Sequence, residues 1–405
     1  MLSNIELMQN VKSLKDVEVE NQSVLIRVDF NVPMDSHHNI TDDSRIKAAL
    51  PTINYCIDHG AKKIVLVTHL GRPKGKRSDD FSLRHIIKRL SRLLEREIEL
   101  VDHFDSQIDY INSDESGEII LLENIRFYEG EKQNDDSLAQ KLAKLCDIYI
   151  NDAFGTSHRK HASTYGIANY CDTNIAGFLL KREIDAFAKA LFHPTKPIMV
   201  VVGGAKVSSK ITLLKNIIPK IDKMIIGGAM SSTFLKALGH NMQNSLVEDE
   251  YLEEASSILQ SAKEAGVKVY LPVDVVITDS IEHPIDTKIV PVQDILEGFQ
   301  AVDIGPATVK LFEEAIGLSN TIVWNGPMGI FEMDMFSKGT YRIAHAIADT
   351  YAYSIVGGGD TANAADKAGE KENFSFISTG GGASLELLEG KILPGVENLD
   401  KSTQS

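Results

Sequence analysis

Along nearly the whole chain, a short apolar run is followed by a polar or glycine-bearing turn and then by a segment with helical apolar spacing. Strands joined through helices pair in parallel, so this order of elements predicts an α/β fold built on parallel sheets. In the first half the strand candidates are residues 24–30, 63–68, 118–122 and 147–150; in the second they are 197–202, 223–226, 267–271, 321–324, 353–356 and 374–377. At 405 residues the chain exceeds what one hydrophobic core usually organises, which argues for two domains. We expect an N-terminal domain over 1–180, a C-terminal domain over 181–389, and a tail, 390–405, that returns to the first. Residues 177–193 read as a helix connecting the two.

The net charge of −15 sets the whole-molecule field against nucleic acid and anionic membrane, so an anionic ligand must be met by a local cationic cluster. Arginine and glycine are segregated: eleven of twelve arginines precede residue 183, and twenty-one of twenty-nine glycines follow it. Arginine grips anions through a rigid fork, and glycine turns let backbone N–H groups close around phosphate, so each half suits a different phosphorylated ligand. Cys56, Cys146 and Cys171 lack the spacing of a zinc or redox motif. Residues 1–10 lack the pattern of a secretory leader, and no apolar run reaches membrane-spanning length, from which a cytoplasmic protein is expected.

Not every arginine is a site candidate. Residues 82–95 place Leu83, Ile86, Ile87, Leu90, Leu93 and Leu94 on one helical face, so Arg84, Lys88, Arg92 and Arg96 read as a solvated face. Arg27, Asp29 and Asn31 alternate at the end of a strand ahead of Pro33, a row suited to a carboxylate or polyhydroxy ligand. Arg45 falls in the first turn of a helix opened by Thr41–Ser44, an unfavourable place for a cation without a nearby anion. His69 and Arg72 follow the next strand, Arg126 the one after, and Arg159 lies in a basic loop. Together Arg27, Arg45, Arg72, Arg126 and Arg159 would cage a small, highly anionic metabolite.

In the second half, glycine pairs or triplets at 203–204, 227–228, 357–359 and 380–382 follow strand candidates, where open parallel sheets bind ligands. Lys206 and Lys210 stand at i, i+4 spacing after the first turn, able to face one phosphate region. Asp360 and Thr361 follow the third, offering a Mg²⁺ ligand and a hydroxyl at a helix N-terminus. Glu332 is a candidate for a ribose contact. The stretch 71–77 superficially suggests a phosphate loop but has one residue too few between its glycines, and Arg77 where Ser or Thr is required.

Read in order, RVDFNVP, ITDDSRI, THLGRP, LLENIRF, GTSHRKHAS, GGAKVSSK, WNGPMGIFE, GGGDTA and STGGGASLELLEGKILPGV resemble the phosphoglycerate kinase family, bacterial type, over nearly the whole chain. The resemblance implies two doubly wound parallel-sheet (Rossmann-like) domains joined by a helical hinge. It implies 3-phosphoglycerate or 1,3-bisphosphoglycerate on the first domain and MgADP or MgATP on the second, with Mg²⁺ carried on the nucleotide. Carried over position by position, the acid set is Asp29, Phe30, Asn31, Arg45, His69, Leu70, Gly71, Arg72, Arg126 and Arg159. The nucleotide set is Lys210, Glu332, Gly358, Gly359, Asp360 and Thr361, with Asp360 as the metal ligand. Arg45, Lys206, Gly381 and Gly382 match the groups that meet the transferring phosphoryl, and the family implies a monomer. Two rival readings have discriminating features. A nicotinamide dehydrogenase would need an acid about 20 residues beyond Gly357–Ala362, where Ser378-Thr379-Gly380 stand instead. A non-catalytic binding module would have had licence to lose Arg45, Lys206 and Asp360, all present.

Overall fold

The computed structural model describes residues 8–400. Residues 1–7, part of the segment read for a leader, and 401–405, the end of the tail, lie outside the described residues. The chain divides into two compact units, one of residues 1–185 with 391–405 and the other of residues 186–390. The helix Phe178–Leu191 crosses that division.

The first unit is built on six strands, β1 (Ser23–Arg27), β2 (Lys63–Val67), β3 (Glu99–Val101), β4 (Ile119–Leu122), β5 (Ile148–Asn151) and β6 (Thr173–Ala176). They form one all-parallel sheet in the order β3-β4-β2-β1-β5-β6. β2, β4 and β5 are buried at every position, as expected of parallel strands covered on both faces. The short strands β3 and β6 escape sequence reading, since three or four residues with mixed polarity carry too little periodicity. Helix Arg84–Leu94 buries Ile86, Leu90 and Leu94 and leaves Arg84, Lys88 and Arg92 exposed, in agreement with the solvated-face reading, whereas Arg96 is exposed beyond the left-handed cap at Glu95 and not on the helix. Helix Phe178–Leu191 begins on tertiary caps: Phe178 N–H donates to Thr52 Oγ1 (2.9 Å), and Leu179 and Leu180 N–H to Asp152 Oδ1 (2.8 and 3.3 Å). The returning tail is anchored in this unit by Asn151 Nδ2 donating to Gly395 O (2.7 Å), with Leu393, Val396 and Leu399 buried.

The second unit contains β7 (Ile198–Val202), β8 (Lys223–Ile226), β9 (Lys268–Tyr270), β10 (Asp274–Thr278), β11 (Thr287–Pro291), β12 (Gln300–Ile304), β13 (Thr321–Asn325), β14 (Tyr353–Val356) and β15 (Phe376–Ile377). Six of them make a parallel sheet, β15-β14-β13-β7-β8-β9. The other three form a separate antiparallel sheet, β11-β10-β12, which no sequence expectation included. Val275, Ile277, Val292 and Ile295 form a small core there with Leu235 of helix Met230–Ala237 and Met242. The main core of this unit runs under Trp324, Phe312, Phe331 and Ile343. Among the described residues no helix is long and apolar enough to cross a membrane.

Candidate active site

In each unit the candidate residues sit on the carboxyl edge of the parallel sheet, beyond adjacent strands. In the first unit these are β4, β2, β1 and β5, four consecutive neighbours. The register of β1 ends at Arg27, paired with Val67 and Asn151, so the expected strand 24–30 is three residues too long. Beyond it the backbone leaves the ladder and is held by side chains: Phe30 N–H donates to Thr68 Oγ1 (2.9 Å), and Asn31 Oδ1 accepts from Gly71 N–H (2.8 Å). Arg27, Asp29 and Asn31 therefore do not form one strand face.

Arg45 meets Asp29 at 2.6 Å, which supplies the anion its first-turn position calls for. His69 is buried with Leu70 on the β2 loop, where its burial among Arg27, Arg126, Arg159 and Arg45 holds the imidazole well below its ordinary pKa and hence neutral. Arg126 is buried, donates through Nη1 to Gly71 O (2.7 Å), and has an Nε without a protein partner. Burial, then Arg159 and Arg27, push its pKa down to about 10, so it stays charged at neutral pH but repelled by its neighbours. Arg159 is half-buried and Arg72 exposed, both on loops of this edge. Arg27 departs from the expected cage: it is 1% exposed and directed into the protein, donating to Ser163 Oγ (2.9 Å) and Val28 O. It supports the cationic surface from beneath. His161 and His158, pushed down by burial and neighbouring arginines to about 3 and about 4, are neutral too.

In the second unit the glycine turns follow β7, β8, β13, β14 and β15, five consecutive neighbours. They are laced together by the backbone: Gly204 N–H donates to Pro327 O (3.0 Å), Gly228 N–H to Met328 O (3.2 Å) and Gly357 N–H to Trp324 O (2.9 Å). Only glycine fits at 228, where φ is +66° and a Cβ would lie 2.5 Å from Gly204 N. The close approach leaves a cavity of about 310 Å³ lined by Gly204, Ala205, Gly228, Met328, Glu332 and Asp360, among others. Glu332 and Asp360 are exposed on its wall.

Lys210 is half-buried and donates through Nζ to Asn325 Oδ1; burial lowers its pKa to about 8, partly opposed by Glu389 and Asp360. Asn325 is in turn fixed by donating Nδ2 to Gly357 O (2.9 Å), a positioning role unread in the sequence although the residue stands in the WNGPMGIFE segment. The i, i+4 reading of Lys206 and Lys210 needs correction, because the helix starts only at Ile211. The preceding loop is pinned instead by Glu248, which accepts from Ser208 N–H (3.0 Å) and Oγ–H (2.6 Å), and Lys206 is exposed on it. Gly358 (φ +95°) caps the helix Gly359–Lys367, with Asp360 in its first turn. Thr361 is buried, its Oγ1 accepting from Gly326 N–H (2.7 Å), so it braces the turn after β13. Gly381 caps the short helix Gly382–Leu388.

Among the described residues no group of three or more His, Cys, Asp or Glu is placed to hold a metal ion. Asp360, one of two exposed carboxylates on the cavity wall and the one in the first turn of a helix, is nonetheless the kind of donor Mg²⁺ uses when it arrives on a nucleotide, keeping waters and phosphate oxygens as its other ligands.

Comparison with known proteins bears on both edges. The family model described as phosphoglycerate kinase matches residues 14–391. A curated phosphoglycerate kinase of Wolinella succinogenes is 62% identical over 401 residues, covering 99% of this chain and all of the relative; one from Helicobacter pylori is 58% identical with the same coverage. Among solved structures, phosphoglycerate kinase from Coxiella burnetii superposes with a TM-score of 0.88 at 42% identity, covering 96% of this chain and 98% of that one. The Pyrococcus horikoshii enzyme gives 0.80 at 32%, with the same coverage.

Proposed function

The chain belongs to the phosphoglycerate kinase family, and from that premise we propose how its two sheet edges divide the reaction. The activity is reversible phosphoryl transfer between 1,3-bisphosphoglycerate and ADP, giving 3-phosphoglycerate and ATP in glycolysis. The N-terminal unit binds the acid through Asp29, Asn31, Arg45, His69, Arg72, Arg126 and Arg159, with the backbone of Phe30, Leu70 and Gly71 shaping the loops. The C-terminal unit binds MgADP or MgATP through Lys210, Glu332 and the 358–361 turn. Asp360 would hold the Mg²⁺, which supplies charge neutralisation on the nucleotide phosphates. The observation that carries the acid-site reading is Arg126: a buried guanidinium, crowded by Arg159 and Arg27, is stabilised by an anion at this edge.

The chemistry asks little of covalent catalysis. A carboxylate oxygen of 3-phosphoglycerate, or a β-phosphate oxygen of ADP, attacks the phosphoryl group in line, so no protein nucleophile is required. Charge spread over the three equatorial oxygens is met by Arg45, Lys206 and the N–H groups at Gly381 and Gly382. Transfer requires the two ligands to be brought together and water excluded, since an acyl phosphate hydrolyses readily, and a hinge at the helix Phe178–Leu191 serves that need. We place the protein in the cytoplasm, where these metabolites are made and used, as a monomer. A coupled assay for ATP formation from 1,3-bisphosphoglycerate and MgADP tests the reading. Binding of both ligands without turnover would overturn it.

A further inference from the structure

Beneath the acid-facing edge lies a buried chain of polar groups, Glu131, Ser163 and Tyr149, none of them in the candidate acid set. Glu131 is 0% exposed and accepts twice from Ser163, from Oγ–H at Oε1 (2.7 Å) and from N–H at Oε2 (2.9 Å). Ser163, also fully buried, has its carbonyl held by Tyr149 O–H (3.0 Å), and Ala162 N–H donates to Glu131 O (2.9 Å). Arg27 Nε lies 2.9 Å from Ser163 Oγ. We propose that Glu131, acting through Ser163, is a positioning residue of the acid site that orients Arg27 and thereby sets the tautomer in which His69 faces the ligand.

The argument is one of donors and acceptors. A guanidinium can only donate, so Ser163 Oγ accepts from Arg27 and must give its single proton to Glu131. The carboxylate thus fixes the hydroxyl, and the hydroxyl fixes Nε of the guanidinium plane. With Nη1 held on Val28 O, Nη2 is left 3.3 Å from His69 Nδ1. Arg27 has only protons to offer there, so Nδ1 is the acceptor. The ring is neutral, so its one proton sits on Nε2 and is available to an acid oxygen. Asp29 Oδ1, at 4.0 Å from the same Nδ1, lies beyond hydrogen-bond range and does not compete. Burial raises the Glu131 pKa, and Arg27, the two Ser163 hydrogen bonds and Arg126 oppose that rise; as the carboxylate, Glu131 offsets the mutual repulsion of Arg27 and Arg126. His161 Nδ1, 3.7 Å from Glu131 Oε1, is neutral and contributes no compensating charge.

This inference rests on the acid-site reading, and the experiment separates the two. Full-length wild type, Ser163→Ala and Glu131→Gln are labelled with ¹⁵N-histidine, His69 being assigned by the signal lost in His69→Gln. Steady-state kinetics are run with 3-phosphoglycerate and MgATP. Wild type should show the Nε2–H tautomer at His69. Ser163→Ala should show a mixed or reversed tautomer and a 3-phosphoglycerate KM raised by about tenfold, the scale of one lost hydrogen bond to a charged group. The MgATP KM should hold within about twofold, and Glu131→Gln added to Ser163→Ala should cost little more than Ser163→Ala alone, as expected of residues acting in one chain. An Nδ1–H tautomer in wild type overturns the proposal even if a variant fails to fold. So does a folded Ser163→Ala with unchanged tautomer and acid KM, or one in which both KM values rise together. If the tautomer behaves as expected but 3-phosphoglycerate leaves the wild-type His69 signal unmoved, the acid-site reading fails and the positioning chain stands.

Discussion

Replacing Lys210 with Met should make the ligand-free protein more stable and the enzyme worse, and both effects can be sized from the structure. Burial holds Lys210 down to about 8, against roughly 10.4 for an unfolded lysine, a difference worth about 3 kcal/mol at most. The folded pKa lies below the unfolded one, so between pH 8 and 10.4 the unfolded chain binds more protons and stability rises with pH. The cost is fully present well below pH 8, is mostly lost by about pH 10 and is gone above about 10.4. Met keeps the stem without the charge, but it leaves Asn325 Oδ1, buried with its residue, without its lysine donor, which takes back roughly 1 kcal/mol or more. The net expectation is a gain of about 1–2 kcal/mol at pH 7, vanishing or reversing by pH 10. Nucleotide affinity moves the other way: losing a charged hydrogen bond to phosphate costs roughly 1.5–3 kcal/mol, or about 10- to 100-fold. Wild-type affinity for MgADP should also decline as pH rises through 8, because the ammonium is the binding form, whereas the Met variant should be flat there. Urea unfolding without ligand at pH 7 and 10, with calorimetric MgADP titrations from pH 6.5 to 9.5, measures all of this. A Met variant less stable than wild type at pH 7, or a wild-type affinity indifferent to pH across 8, would refute the reasoning.

Arg45→Ala should lower kcat by about 10³-fold or more, by analogy with other phosphoryl-transfer arginines, with MgADP affinity nearly intact; a wild-type kcat sinks its assignment. Gly228→Ala forces a Cβ against Gly204 N and O in a left-handed turn, so MgADP binding should be lost or severely weakened, as read by calorimetry, while near-wild-type affinity would show that the turn can relax. Val396→Asp places a carboxylate in a fully buried position of the tail and should destabilise the protein by about 3 kcal/mol or more, seen as a lowered urea midpoint. Asp303, buried and raised by that burial to about 7 despite accepting from Gly339 N–H, holds its proton more tightly when folded, so its contribution to stability grows as pH falls from 7 toward 4. Asp303→Asn should abolish that component of the pH–stability profile, and an unchanged profile would refute it.

Where a motif follows a long buried strand, it was legible in the sequence. β2 and β7 read as continuous apolar runs because both faces of a central parallel strand are covered, and their carboxyl ends then locate His69, Arg72 and the 203–204 turn without further information. Arg45 announced itself by a local electrostatic misfit, which Asp29 resolves. Short edge strands and the β11-β10-β12 sheet gave no such signal; β11 is mostly exposed, so it shows no buried apolar face along the sequence although it pairs with its chain neighbour β10.

Local periodicity, turn chemistry and charge placement are properties of neighbouring residues, so the sequence by itself determined the alternating parallel architecture, the solvated face of helix Arg84–Leu94 and the two phosphate-seeking edges. Only the tertiary structure decided which cations line the acid edge and which lie beneath it. Arg27 and Arg126 are alike in sequence terms, each at or after a strand's end. One is turned inward by Ser163 and Glu131, the other is left with an unpartnered Nε. That distinction depends on a carboxylate more than a hundred residues from Arg27 in the chain. Hydrogen-bond partners at such separations leave no pattern along a sequence.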